Sequence, residues 1–247
     1  MRVLGVIPAR YGSTRFPGKP LAMIGQKTMI HRTCEQVLKA SLDAVVVATD
    51  DRRIFDEVRG FGGQAVMTRV DHPSGTDRCR EALDLLGGEY EAVVNIQGDE
   101  PFIDPARINQ VADLIRRDDT DIATLAEPIT DLDALENPNV VKVVFDKNSV
   151  ALYFSRHALP YVRGAEQHQW LAKTAYYRHI GLYAYKASTL RTITALSPGR
   201  LEQAESLEQL RWLENGFPVR VGITEPQRAI AIDTPQDLLS IPQEALL

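Results

Sequence analysis

The chain has 247 residues and a formal net charge of -5, with 44% hydrophobic and 25% charged residues; this leaves little room for a long disordered arm and argues against a broad basic nucleic-acid surface. Its two cysteines, Cys34 and Cys79, exclude a disulfide scaffold and a cysteine-rich metal cluster, and are expected as buried reduced thiols. The opening apolar run stops at Pro8 and no apolar stretch reaches membrane-spanning length, so neither a signal peptide nor membrane insertion is expected and the expected location is cytoplasmic.

In chain order, short apolar runs at Val3-Ile7, Ala44-Ala48 and Ala92-Ile96, with a weaker one at Ala65-Met67, read as buried parallel strands. Helical patterns at Met29-Lys39, Arg52-Gly60, Asp77-Leu86 and Pro105-Arg117 separate or follow them. This βαβ rhythm predicts an α/β fold, Rossmann-like, with a mostly parallel central sheet and helices on both faces.

From residue 122 the rhythm changes. Ile122-Ile129, Val140-Phe145 and Ala151-Ser155 read as β segments, with a hairpin turn at Asp146-Lys147-Asn148, and an inserted sheet or subunit-contact region fits them. Gly164-Tyr177 reads as a loop or short helix over a site, Gly181-Tyr185 as a strand, and Leu201-Asn215 as one helix ended by Gly216. Strands are expected at Pro218-Ile223 and Ala229-Ile232, and a last helix is expected from Thr234 and Pro235. We read 1–247 as a single domain, with a βα region over 1–120 and a β-rich region over about 122–187.

Arg10, Arg15 and Lys19 lie in a loop punctuated by glycine and proline just beyond the first strand, where open α/β sheets hold polyphosphate. A solvated surface loop is the alternative. The loop is neither GxxxxGK[ST] nor GxGxxG, which disfavours an ordinary P-loop nucleoside triphosphatase or a nicotinamide enzyme. Asp99 and Glu100 follow a buried strand, where a carboxylate would hold Mg²⁺ against phosphate oxygens, although Gly98-Asp99 also fits a plain turn. Asp233 ends a late strand and would either share metal or cap a helix. The segment Asp71 to Arg78 would read a pyrimidine edge, cap a helix, or do both. His179 with Arg178, Tyr183 and Tyr185, and Glu208 with Gln209 and Arg211, would on their own be surface or core-edge residues.

Together these residues resemble the 3-deoxy-manno-octulosonate cytidylyltransferase family. The likeness runs in order through IPARYGSTRFPGKPL, VVVATDD, TRVDHPSGTDRCREA, VVNIQGDEPFI, NPNVVKVVFD, ALYFSR, YRHIGLYAYKA, LEQAESLEQLRWLENG and AIDTPQDL, covering nearly the whole chain.

The resemblance implies transfer of CMP from CTP to the 2-hydroxyl of 3-deoxy-D-manno-octulosonate (Kdo) for lipopolysaccharide assembly, by a homodimer. It further implies that Arg10 and Lys19 bind and activate the triphosphate with support from Ser13 and Arg15, and that Asp99 and Asp233 hold Mg²⁺. Ser74, Arg78 and Gln97 would line the cytosine side, while His179, Tyr183 or Tyr185, Glu208 and Gln209 would face Kdo, with Arg156 or Arg163 on its carboxylate. Activation of 8-amino-Kdo or sialic acid is the enzymatic alternative; a nucleotide-sensing dimeric α/β module is the non-enzymatic one.

Overall fold

The computed structural model describes residues 1–12, 16–87, 89–227, 232 and 234–242. The elements in chain order begin with β1 (Val3–Ala9), β2 (Met23–Ile24), β3 (Lys27–Thr28), α1 (Met29–Val37), β4 (Ala44–Thr49), α2 (Arg52–Gly60) and β5 (Ala65–Met67). They continue with α3 (Gly75–Leu86), β6 (Ala92–Asn95), α4 (Pro105–Ile115), β7 (Ile122–Ile129), α5 (Leu132–Glu136), β8 (Lys142–Phe145) and β9 (Ala151–Ser155). The last are β10 (Tyr176–Lys186), α6 (Ala187–Ile193), α7 (Arg200–Glu205), α8 (Gln209–Glu214) and β11 (Arg220–Ile223).

Among the described residues, nine strands share one sheet, in the order β11-β7-β10-β6-β1-β4-β5, with the β8–β9 hairpin branching from β10. Neighbours along that path are parallel except where β10 runs against β6 and β7. The β-rich stretch therefore forms no separate sheet: β7 and β10 are inner strands of the main one. The hairpin turn sits where expected, with Asp146 Oδ1 accepting from the amides of Asn148 and Val150 at 2.8 and 2.9 Å.

Side-chain alternation along the strands divides the core. Leu4, Val6, Val46, Ala48 and Val93 pack on one face against α3, α6 and α8, and Val3, Ile7, Val47 and Val94 pack on the other against α1, α2 and α4. Each such valine, leucine or isoleucine side chain, fully removed from water, contributes about 1.5–3 kcal/mol before chain entropy is set against it. Both cysteines are buried and free, and burial pushes their thiols up, that of Cys34 to about 12.

Two further expectations differ from the structure. The run Leu201-Asn215 is two helices, broken where Ser206 takes left-handed angles (φ 51, ψ 50). The break turns Leu207 into the core and lets Glu205 accept from Ser155 Oγ and the Arg156 amide, contacts that a straight helix would not make. The strand expected at Gly181-Tyr185 is 11 residues long, because its polar first half pairs with β7 and at Arg178 with β8. Helix α6 was not anticipated. The expected strand Ala229-Ile232 falls largely outside the described residues, while a 3-10 helix, Pro235–Ser240, follows Thr234.

The order β6-β1-β4 reverses direction at β1, and a crevice opens at the carboxyl ends of strands where an open sheet reverses its order.

Candidate active site

At that crevice the chain leaving β1 folds back so that the Gly18 amide donates to the Tyr11 carbonyl at 2.9 Å. Gly18 has φ +71°, and a Cβ there would lie 3.0 Å from the Tyr11 ring, so both backbone and packing require glycine. The 3-10 turn Lys19–Leu21 then buries Lys19, whose Nζ lies 2.7 Å from Asp99 Oδ2. Asp99 stands just past β6. Its neighbour Gly98 packs so closely on β1 that a Cβ would lie 2.8 Å from the Pro8 carbonyl oxygen, which pins the Asp99 loop to the end of β1. Glu100, beside it, has its carboxyl raised to about 7 by burial and by the charge of Asp99.

The opposite wall is the start of α3. Ser74 caps it, its Oγ accepting from the Asp77 amide at 3.2 Å. Arg78 is buried, with Nη1 donating to Thr68 Oγ1 at 2.6 Å and Nη2 paired to Asp50 Oδ2 at 2.8 Å. Glu208, just before α8, accepts from Ser74 Oγ at 2.9 Å and Thr76 Oγ1 at 2.8 Å. Burial raises its carboxyl pKa against the pull of those two hydroxyls. Helix α8 thereby holds the loop that opens α3.

These walls enclose two cavities. The first, about 270 Å³, is lined by Arg10, Lys19, Ser74, Arg78, Gln97 and Asp99, all expected from the sequence. The second, about 500 Å³, is lined by Asp99, Lys19, Glu100, Arg107, Arg178 and His179 among others. Among the described residues, Lys19 and Asp99 are the two common to both linings.

His179 is half-buried, and burial pushes its imidazole down to about 3, so it is neutral at pH 7. Its Nε2 lies 3.1 Å from Thr124 Oγ1, which itself lies 2.9 Å from the Leu182 carbonyl. A hydroxyl has one proton, so Thr124 bonding to that carbonyl accepts Nε2–H from His179.

Other expected acceptor-side residues lie elsewhere. Tyr183 and Tyr185 alternate into the core and meet Trp212 edge-on at 5.1 and 5.5 Å, because their strand face is the one covered by α8. Burial, with the charge of Glu208, raises both phenols well above their ordinary range. Gln209 is buried in α8, and Glu208 faces Ser74 rather than the second cavity. Arg156 donates to the carbonyls of Glu205, Pro138 and Ser206, and Arg163 is exposed outside both linings. Ser13, Arg15 and Asp233 lie outside the described residues.

Asp50, Arg107, Glu127 and Arg178 carry no role expected from the sequence. Signals existed: Asp50 ends the strand of VVVATDD, and Glu127 is the charged residue within an otherwise apolar strand, where burial demands a cation.

A family model described as "Cytidylyltransferase" matches residues 4–225. A 3-deoxy-manno-octulosonate cytidylyltransferase of Bacteroides thetaiotaomicron is 56% identical over 241 residues, 96% of each chain, and one of Parabacteroides distasonis is 55% identical over 242 residues with the same coverage. The chain belongs to the 3-deoxy-manno-octulosonate cytidylyltransferase family. A solved structure of CMP:2-keto-3-deoxy-manno-octonic acid synthetase, complexed with CTP, matches with a TM-score of 0.89 at 40% identity, covering 97% of this chain and 96% of that one. Family membership thus spans both cavities and the sheet that carries them, and the resemblance read from the motifs is borne out.

Proposed function

We propose that this chain transfers CMP from CTP to the 2-hydroxyl of Kdo, giving CMP-Kdo and pyrophosphate. The observation that carries this reading is the Lys19–Asp99 wall between two cavities of different character. In the first cavity Arg10 and Lys19 would take the triphosphate, with Ser74, Arg78 and Gln97 toward the base. The second would hold the acid sugar. The sugar hydroxyl attacks the α-phosphorus in line and pyrophosphate leaves, so no covalent enzyme intermediate is needed. Lys19 and Arg10 stabilise charge as it moves onto the leaving group.

Among the described residues no three His, Cys, Asp or Glu side chains converge as a metal site, and a single donor fits Mg²⁺. Asp99 offers a half-exposed carboxylate, the hard oxygen ligand this ion prefers. Asp99 would hold it, together with Asp233 by family resemblance. When bound, Mg²⁺ would place positive charge at the phosphate oxygens and acidify the acceptor hydroxyl. A homodimer belongs to the same reading, with the exposed Leu152 and Tyr161 as candidates for its contact. Among the described residues no helix is long and apolar enough to cross a membrane.

The test is an acceptor panel. With CTP and Mg²⁺, kcat/KM should be highest for Kdo against 8-amino-Kdo and sialic acid. Preference for either analogue would reassign the acceptor, and CTP binding without turnover on any of the three would favour a nucleotide-sensing module.

A further inference from the structure

Glu127 on β7 and Arg178 on β10 are register partners, and Arg178 Nε lies 2.5 Å from Glu127 Oε1. Arg107 of α4 pairs with the other oxygen of the same carboxylate, Oε2, and also donates to the Glu225 carbonyl at 3.0 Å. Glu127 is 3% exposed. One buried carboxylate therefore stands between two guanidiniums, and each receives only part of its charge. The arginines differ in access: the Arg107 side chain is 10% exposed and that of Arg178 is 29% exposed, and both line the second cavity.

An arginine anchored through Nε keeps the terminal nitrogens of its fork for another planar anion. Two of the three carboxylates among the described lining residues are engaged elsewhere: Asp99 faces Lys19, and Asp104 accepts from the Ala106 amide at 2.8 Å to cap α4, while the third, Glu100, stands beside Asp99. His179 is neutral, and Arg156 has committed its guanidinium to backbone carbonyls.

We propose that Arg178 binds the carboxylate of the acid acceptor, with Glu127 and Arg107 as positioning residues that aim its fork into the second cavity. This rests on the reading of that cavity as the acceptor site. It moves carboxylate recognition from Arg156 or Arg163 onto a side chain held by the central sheet, so the sugar acid docks against strands rather than a loop. Rigid strands place an anion relative to the Lys19–Asp99 wall more closely than a loop would.

The test is steady-state kinetics of the full chain with Kdo and with its carboxamide. Arg178→Gln should raise KM for Kdo about 10- to 100-fold, the value of a charge-assisted bidentate contact, and should abolish the preference for acid over amide. KM for CTP should stay within about twofold, because no Arg178 contact reaches the nucleotide cavity. Glu127→Gln should erode the acid preference by a smaller factor with kcat held. An unchanged KM for Kdo with the acid preference intact would overturn the proposal. If Arg178→Gln fails to fold, shown by loss of CTP binding, Arg178→Lys decides: it keeps the charge without the fork, should still raise KM for Kdo, and refutes the assignment if it does not. A wild-type chain that binds CTP yet turns over no Kdo would instead remove the functional reading, and the proposal with it.

Discussion

Lys19 Nζ stands 2.7 Å from Asp99 Oδ2 across 80 positions of sequence, and this contact forms the wall shared by the two cavities. Lys19 is buried while the Asp99 side chain is 46% exposed, so the pair puts a desolvated cation behind an accessible carboxylate. That asymmetry is what the proposed phosphate and Mg²⁺ reading requires of the wall.

Asp99→Asn should therefore cost turnover far more than stability. We expect kcat to fall about 100-fold or more, the scale seen when a group that stabilises transition-state charge is lost. A half-exposed ion pair contributes only about 1 kcal/mol, so the thermal midpoint should move by a few degrees. Parallel kcat and melting measurements check this. Comparable collapse of both would contradict it.

Glu208 ties α8 to the first turn of α3 through Ser74 and Thr76. Glu208→Ala should destabilise the fold by about 1–3 kcal/mol and raise KM for CTP, because the loop that lines the nucleotide cavity loses its brace. Urea denaturation and CTP titration provide the two readouts, and an unchanged KM for CTP would show that the brace is not needed for nucleotide binding.

Much of this architecture was legible because parallel strands are buried on both faces and show as apolar runs, as in Val3-Ile7 and Ala92-Ile96. The lining of the first cavity was legible too, since Arg10, Lys19, Ser74, Gln97 and Asp99 sit in turns and loops next to those runs and Arg78 lies in the first turn of α3. The lining of the second cavity was not. Tyr183 and Tyr185 read on their own as surface or core-edge residues and face Kdo only by the family resemblance, whereas strand alternation sends both under α8. The Arg178–Glu127–Arg107 cluster joins β10, β7 and α4, and no local pattern links residues brought together only by sheet register.

The neutral state of half-buried His179 predicts acid sensitivity. Its folded pKa, about 3, lies below the ordinary 6.5, so below pH 6.5 the unfolded chain binds a proton that the folded chain refuses. Stability from this group is intact above pH 6.5 and is lost between 6.5 and 3 as pH falls. The limiting slope is about 1.4 kcal/mol per pH unit. His179→Gln removes the titration, so its stability should fall less steeply than wild type between about pH 6 and 4 in urea denaturation. Parallel curves would exclude His179 as a source of the slope.

Ser206 holds left-handed angles at the break between α7 and α8. Glycine takes those angles without steric cost, so Ser206→Gly should stabilise the chain by about 0.5–1 kcal/mol, net of the entropy glycine adds to the unfolded state. KM for CTP should be unchanged. A loss of stability would mean that the serine side chain supports the break.

The central claim is that the Lys19–Asp99 wall joins a CTP site to an acid-sugar site. Pyrophosphate release tests it most directly, measured with Mg²⁺ and with CTP alone, Kdo alone, and both together, alongside product mass. The account predicts pyrophosphate only with both substrates and a product of the mass of CMP-Kdo, in equal amounts. Folded, CTP-binding protein that releases no pyrophosphate on adding Kdo, or releases it equally without Kdo, would contradict it.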